Sequence, residues 1–429
     1  MNTSGLATDQ APPFAVPLAW YAIAPVAAVA GGAVLLGEGG RLLYTGWLPA
    51  TAALTHLATL GVVGAAMAGS LYQMAPVVAG SPVPWPRLGH AVAACWAIGL
   101  GGLAIGLGSG RPALLRWAIA LLAAAFVGFA GPVGWAVARA AVRSPTVTGM
   151  RLALASLAVA VALGLRLAWG FAGGEVPASR HALLVAHMGI GAIGWVGGLW
   201  MAVGWQVVPM FWMTAGPAER PGRWQLAAVG GSVGTGAGLA VSGLDWAWVA
   251  GALAPAALSV WLVQPVRLAA LLRGRRRKRP DPALALWWLS LGCAPVALAL
   301  AVALAWVDWP PLGPLLGWVA LWGWAAAAVH AALAKIVPFL AWFHRFAQTA
   351  HDAALQAQVP PIKQLLPDRQ VRIGLWLHTV GLGLGVLAIV TGVDGAARAA
   401  GSALVGCGAA LAANLMTPVW RAARAGRSS

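Results

Sequence analysis

The sequence predicts an all-α polytopic membrane protein of about twelve transmembrane helices, arranged as three parallel four-helix repeats. Three observations lead there: the composition, a succession of apolar runs of bilayer length, and a short motif that returns at nearly equal intervals. Of the 429 residues, 60% are hydrophobic and 9% charged, and the mean hydropathy is +0.80. Soluble domains carry about 25% charged residues, so a water-soluble globular fold is excluded.

The elements follow in chain order. Residues 1–16, MNTSGLATDQAPPFAV, lack the positive n-region of a signal peptide and are expected to form a short disordered lead. A spanning helix needs about 20 mostly apolar residues. Such runs sit at roughly 17–37, 49–79, 89–108 and 114–136, then 150–172, 182–215, 225–243 and 247–272. The last four lie at roughly 283–307, 312–343, 372–393 and 400–420. Together they make one membrane domain over 17–420, with repeats at about 17–136, 150–272 and 283–420 and a basic tail at 421–429. Glycine is abundant, with 56 residues, and its runs GAIGWVGG and GLGLG lie inside spans, where small residues let helices approach closely. That location argues against a nucleotide loop. The 25 tryptophans exceed what interfacial belts need; Trp195, Trp200 and Trp205 could line a flat cofactor, and packing is the favoured reading. Cys95, Cys293 and Cys407 each stand alone in an apolar run, without ligand spacing, and are expected to be packing residues.

The net charge of +17, and the run RGRRRKRP at 273–280 in particular, suggest nucleic acid only until the basic residues are sorted by side. Twenty of the 27 Lys and Arg residues fall in the loops after even-numbered spans, at the ends of the spans that border those loops, or in the tail. Five (Arg41, Arg111, Arg116, Arg180 and Arg398) fall on the other side, and Arg166 and Lys335 lie within spans. Basic residues mark the cytoplasmic side. Both termini are therefore expected in the cytoplasm of a cell inner membrane, and the basic run is a topology signal with anionic-lipid contact. No nucleic-acid partner is expected.

The repeat rests on Gln73-Met-Ala-Pro76, Gln206-Val-Val-Pro209 and Lys335-Ile-Val-Pro338, spaced by 133 and 129 residues. Each occurrence closes a span of the same direction, so the units are parallel and four helices long. Two-fold transporters with midplane sites on broken helices do not follow that plan.

In the first of these spans His56, Gly69, Tyr72, Pro76, Gly80, Pro86, Arg87 and Leu88 follow a pattern that resembles subunit I of the heme-copper oxidase superfamily. The resemblance covers the twelve-helix layout and this one segment in detail. It implies heme at His56, and outer-side arginines such as Arg180 and Arg398 in contact with heme propionates. The departures are equally specific. The seventh span holds no histidine for a copper pair, and the tenth reads LLGWVALWGW where the family carries His-x-His. A copper-containing oxygen or nitric oxide reduction site is therefore not expected. The plan is also similar to that of twelve-helix heme- and copper-containing proteins associated with nitric oxide tolerance.

If the three prolines share a depth, the helical rise places the histidines. His56 and His187 precede their prolines by 20 and 22 residues, about 30 and 33 Å, so they lie nearly level. They are the expected pair for a b-type heme or, failing heme, a metal ion such as copper. His330 precedes Pro338 by 8 residues, about 12 Å, roughly 18 Å deeper than His56. With Lys335, a lysine inside a span, it is expected to form a polar path toward the cytoplasm; inward snorkelling of Lys335 is the alternative. His378 is a weaker candidate. His181 is assigned to an outer loop, and His90, His344 and His351 border the cytoplasm. Tyr72 and Gln73 are expected to bond neighbouring helices near the inner face or to flank Lys335.

The expected function is a heme- or metal-binding integral membrane protein of respiratory or nitric oxide metabolism, acting in electron transfer, sensing or an accessory role. It is not expected to be a self-sufficient terminal oxidase. Its partners are the lipid bilayer and, through the resemblance, respiratory-chain subunits or a cytochrome. The rival readings are a permease and an oxidase-assembly partner that use the same scaffold without cofactor.

Overall fold

The computed structural model describes residues 10–46, 48–216, 218–276, 278–279, 281–346 and 359–425. His351, residues 1–9 of the expected lead, residues 426–429 of the basic tail, and Arg277 and Pro280 of the basic run lie outside them. The described residues are helical, with no strand among them. Long helices occur at all twelve expected places: α1 Ala15–Leu43 (with a break at Ala22 and a 3-10 end), α2 Pro49–Ala79, α3 Leu88–Ser109, α4 Pro112–Arg139, α5 Pro145–Phe171 and α6 Arg180–Trp212. They continue as α7 Glu219–Val241, α8 Trp246–Arg273, α9 Pro282–Ala303, α10 Leu312–Phe346, α11 Asp368–Thr391 and α12 Asp394–Ala425. Eleven are long and apolar enough to cross a membrane; α7 is the exception. Its stretch GGSVGTGAG is rich in glycine with serine and threonine, and its first turns carry Glu219, Arg220 and Arg223, so its apolar surface is thin.

The helices run a few residues past the apolar windows, for reasons visible at their ends. Proline occupies the first turn of α2, α4 and α5, where its missing N–H costs nothing. Ser144 accepts a hydrogen bond from the Val147 N–H at 3.2 Å, Asp245 from Ala247 at 2.9 Å and Asp281 from Leu284 at 2.9 Å, capping α5, α8 and α9. Gly110 and Gly392, with φ of 62° and 72°, close α3 and α11 in the left-handed conformation.

Four helices contain π turns: Leu57–Gly64 in α2, Ile190–Gly197 in α6, Ser259–Val263 in α8 and Val319–Ala326 in α10. In α2, α6 and α10 the π turn begins nineteen residues before the internal proline, at Leu57, Ile190 and Val319 against Pro76, Pro209 and Pro338. Single π turns inside α-helices mark functional positions often enough to direct attention to what they face.

The chain divides into two compact units. The first takes in residues 70–278 and 294–302; the second takes in 13–69, 279–293 and 303–429. Within the first, α5 and α6 meet through small residues: a Cβ on Gly149 would lie 2.7 Å from that of Ala202, and one on Gly194 would lie 2.8 Å from that of Ser156. Within the second, α1 and α12 pack backbone to backbone, and a Cβ on Gly32 would stand 2.6 Å from the Gly401 carbonyl oxygen. Small residues at such crossings are the usual basis of close helix packing in lipid.

Candidate metal centre

Three buried side chains of the second unit converge from α10, α11 and α12. His330 follows the π turn of α10 by one helical turn, His378 sits mid-way along α11, and Cys407 sits mid-way along α12. Their exposures are 2%, 1% and 2%. The Cys407 Sγ lies 3.8 Å from His330 Nδ1 and 3.9 Å from His378 Nδ1. One ligand atom from each residue lies within 4.8 Å of the other two. Among the described residues this is the one group of three His, Cys, Asp or Glu side chains close enough to share an ion.

The surroundings set each ring. Nε2 of His378 is 3.0 Å from the carbonyl oxygen of Trp322, which lies in the π turn of α10. Donation of Nε2–H to that carbonyl leaves the Nδ1 lone pair directed at the sulfur, the arrangement that fixes a ligating tautomer. The Trp322 indole N–H donates in return to the His378 carbonyl at 3.2 Å, and the two rings stack at 4.5 Å with 11° between planes. His330 meets His378 edge to face at 5.8 Å. It reaches that position because residue 374 is glycine: a Cβ there would stand 2.9 Å from both Cε1 and Nε2 of His330.

The hydrogen bonds within this group do not close. One thiol proton cannot serve two Nδ1 lone pairs, and His330 Nε2 has no partner. Nor do Nδ2 and Oδ1 of Asn414, a residue 2% exposed and two turns beyond Cys407 on α12. Each orphaned buried polar atom costs about 1–3 kcal/mol, so three in one place need compensation. An ion bound by Sγ and the two Nδ1 atoms would use the two Nδ1 lone pairs that one thiol proton cannot both serve, and leave His330 Nε2 and the Asn414 amide to other partners.

The space fits an ion and excludes a macrocycle. The cavity between the donors is about 10 Å³, walled by Ala28, Val62, Trp322, Ala326, Val329 and Leu411. That is about one water-sized sphere, whereas pockets for small organic ligands start near 300 Å³.

The residues singled out in the sequence are distributed otherwise. His56 is half-buried in the second unit, with Nδ1 2.7 Å from the Ala52 carbonyl of its own helix. His187 is half-buried in the first unit, with Nδ1 2.8 Å from the Ala160 carbonyl of α5. Lys335 forms an ion pair with Asp281 at 3.0 Å; the side chains are 21% and 10% exposed. Arg398 is held by Asp394 at 2.6 Å and donates to the carbonyls of Leu36 and Gly37, tying the start of α12 to the end of α1. Arg180 is exposed at the first residue of α6, where His181 stacks on Trp246 at 5.3 Å. His90 and His344 are exposed, and His344 stacks on Phe14. Tyr72 packs on Phe129 in the first unit, where Gln73 is buried. Trp195, Trp200 and Trp205 are buried, and Trp205 donates to Gln264 at 3.1 Å.

Of the residues singled out in the sequence, His330 and the weaker candidate His378 belong to the three-donor group. Cys407 reads as packing in the sequence, and His378 carries less weight there, because 77 and 29 residues separate Cys407 from His330 and His378. One usable signal is present: His330, His378 and Asn414 put a polar side chain in each of the last three spans, where hydrocarbon penalises one. No family model matches the chain, and no curated protein matches it.

Proposed function

We propose that this chain is a metal-binding integral membrane protein on the plan of heme-copper oxidase subunit I, with a buried ion held by His330, His378 and Cys407. The role that fits is electron transfer, sensing or accessory action in respiratory or nitric oxide metabolism, within the cell inner membrane and with both termini in the cytoplasm. The observation that carries the metal reading is the convergence of one thiol and two imidazole Nδ1 atoms on a cavity of ionic size. When bound, such an ion supplies one-electron or ligand-binding chemistry. The protein orients its donors through Trp322 and Gly374 and keeps water out with an apolar wall.

The threefold plan is supported by the equal spacing of π turn and proline in α2, α6 and α10, and the orientation by the distribution of basic residues. The seventh helix carries no histidine, so the chain is not read as a terminal oxidase by itself. His56 and His187 remain proposed heme ligands, each with a carbonyl at Nδ1 of the kind that orients an axial imidazole.

Metal content and visible spectrum of purified protein test both parts. A bound ion that is lost in His378→Ala, with any Soret band unaffected, supports the three-donor centre. A Soret band lost in His56→Ala and kept in His378→Ala assigns heme to His56. Protein that holds neither metal nor heme when both are supplied would favour the permease or assembly-partner reading.

A further inference from the structure

We infer that the ion taken by His330, His378 and Cys407 is monovalent copper, an inference that rests on the metal reading above. The first argument is charge. Deprotonated Cys407 and two neutral imidazoles sum to a single negative charge, and among the described residues no carboxylate lines the cavity. A monovalent ion leaves this centre neutral. A divalent ion leaves a net positive charge among alanine, valine and leucine side chains inside a membrane helix bundle, where burying unpaired charge is costly.

The second argument is coordination number. Structural zinc takes four protein ligands, and catalytic zinc adds water or substrate to three. Beyond the three donors the side chains of the walls named above are carbon, apart from the Trp322 indole, whose N–H is already given to the His378 carbonyl, and the Gly374 carbonyl oxygen stands 4.0 Å from Sγ. The Sγ–Nδ1 separations of 3.8 and 3.9 Å are short enough for one ion to bridge the donors.

The third argument is softness, since thiolate with few ligands selects Cu(I) over harder ions. Ligation through Nδ1 also gives His330 a proton on Nε2. Asn414 Nδ2, also without a partner, lies near the same side of Gly374.

The test uses the purified full chain, kept anaerobic, loaded with Cu(I) alone, Zn(II) alone and the two together. Metal per chain is measured, and copper-edge X-ray absorption reads the ligand shell. The expected result is about one copper per chain, retained against excess zinc, with one sulfur and two nitrogen neighbours. Cys407→Ser and His378→Ala, checked for folding by gel filtration, should each lower copper occupancy at least about tenfold. Zinc retained in competition with copper, or a four-coordinate copper shell, would overturn the copper assignment and leave the metal reading intact. Protein that retains neither ion would overturn both. Copper retained in full by both folded variants would place the ion elsewhere and refute the inference. If either variant fails to fold, the absorption spectrum of the wild type decides, because it reports sulfur ligation directly.

Discussion

At the scale of single residues, Gly374 does for His330 what no other amino acid can. A methyl group there would meet the imidazole at 2.9 Å, so Gly374→Ala must push the ring away from Cys407. Overpacking of this kind costs about 1–3 kcal/mol. Gly374→Ala is expected to lower thermal stability modestly and metal occupancy severely, measured on the same preparation; full occupancy in the variant would show that the close approach is incidental. Lys335 has a different task. Its ion pair with Asp281, whose other oxygen caps α9, reads as a brace between α10 and the start of α9. Removing one member of a poorly exposed pair is strongly destabilising, whereas replacing both members often is not. Asp281→Ala should therefore destabilise more than Lys335→Met, by about a further 0.5–2 kcal/mol for the lost cap, and the double variant should cost less than the sum. Strict additivity in thermal unfolding would dismiss the brace.

At the scale of elements, the π turn of α10 links secondary structure to the site. It spans Val319–Ala326, carries the carbonyl that orients His378, and lies between Trp318 and the α-helical turn that presents His330. Deleting Ala325 would remove one residue between Trp322 and His330 and rotate one against the other by about 100°. Metal occupancy should fall below detection in the deletion variant; an unchanged value would show that the wide turn is not needed to set the donors. The apolar runs were legible in the sequence because bilayer length is a strong constraint. The π turns were not: a one-residue widening leaves no mark on hydropathy, and only the prolines that follow it suggested a repeat. Helical rise gave an expectation of depth, about 18 Å between His56 and His330, whereas the cavity places His330 beside Val62, only six residues further along α2 than His56. Which face a residue turns, and toward which neighbour, was not legible. So the sequence could suggest a pairing of His56 with His187 by position alone, while the meeting of His330, His378 and Cys407 required α10, α11 and α12 in three dimensions. Cys407 was hidden for a further reason, because a buried thiol has the composition signature of ordinary packing.

At the scale of the whole molecule, eleven helices are long and apolar enough to span a membrane, and α7 occupies the remaining expected position with a weaker apolar face. The basic residues predict that the loop carrying Lys278 and Arg279 faces the cytoplasm and that Gly173 and Gly174 face outward. Reporter fusions at these two loops should give opposite signals; the same signal at both would remove either α7 or another helix from the membrane. The central claim is that the membrane domain holds an ion through Cys407. Its most direct test is metal per chain, by elemental mass spectrometry, in wild type, Cys407→Ser and Cys293→Ser purified side by side. Cys293 is a half-buried thiol outside the three-donor group, so its replacement controls for the loss of a thiol as such. The centre predicts about one ion per chain in wild type and Cys293→Ser and less than about a tenth of that in Cys407→Ser. Equal metal in all three proteins, or none in any, would contradict it.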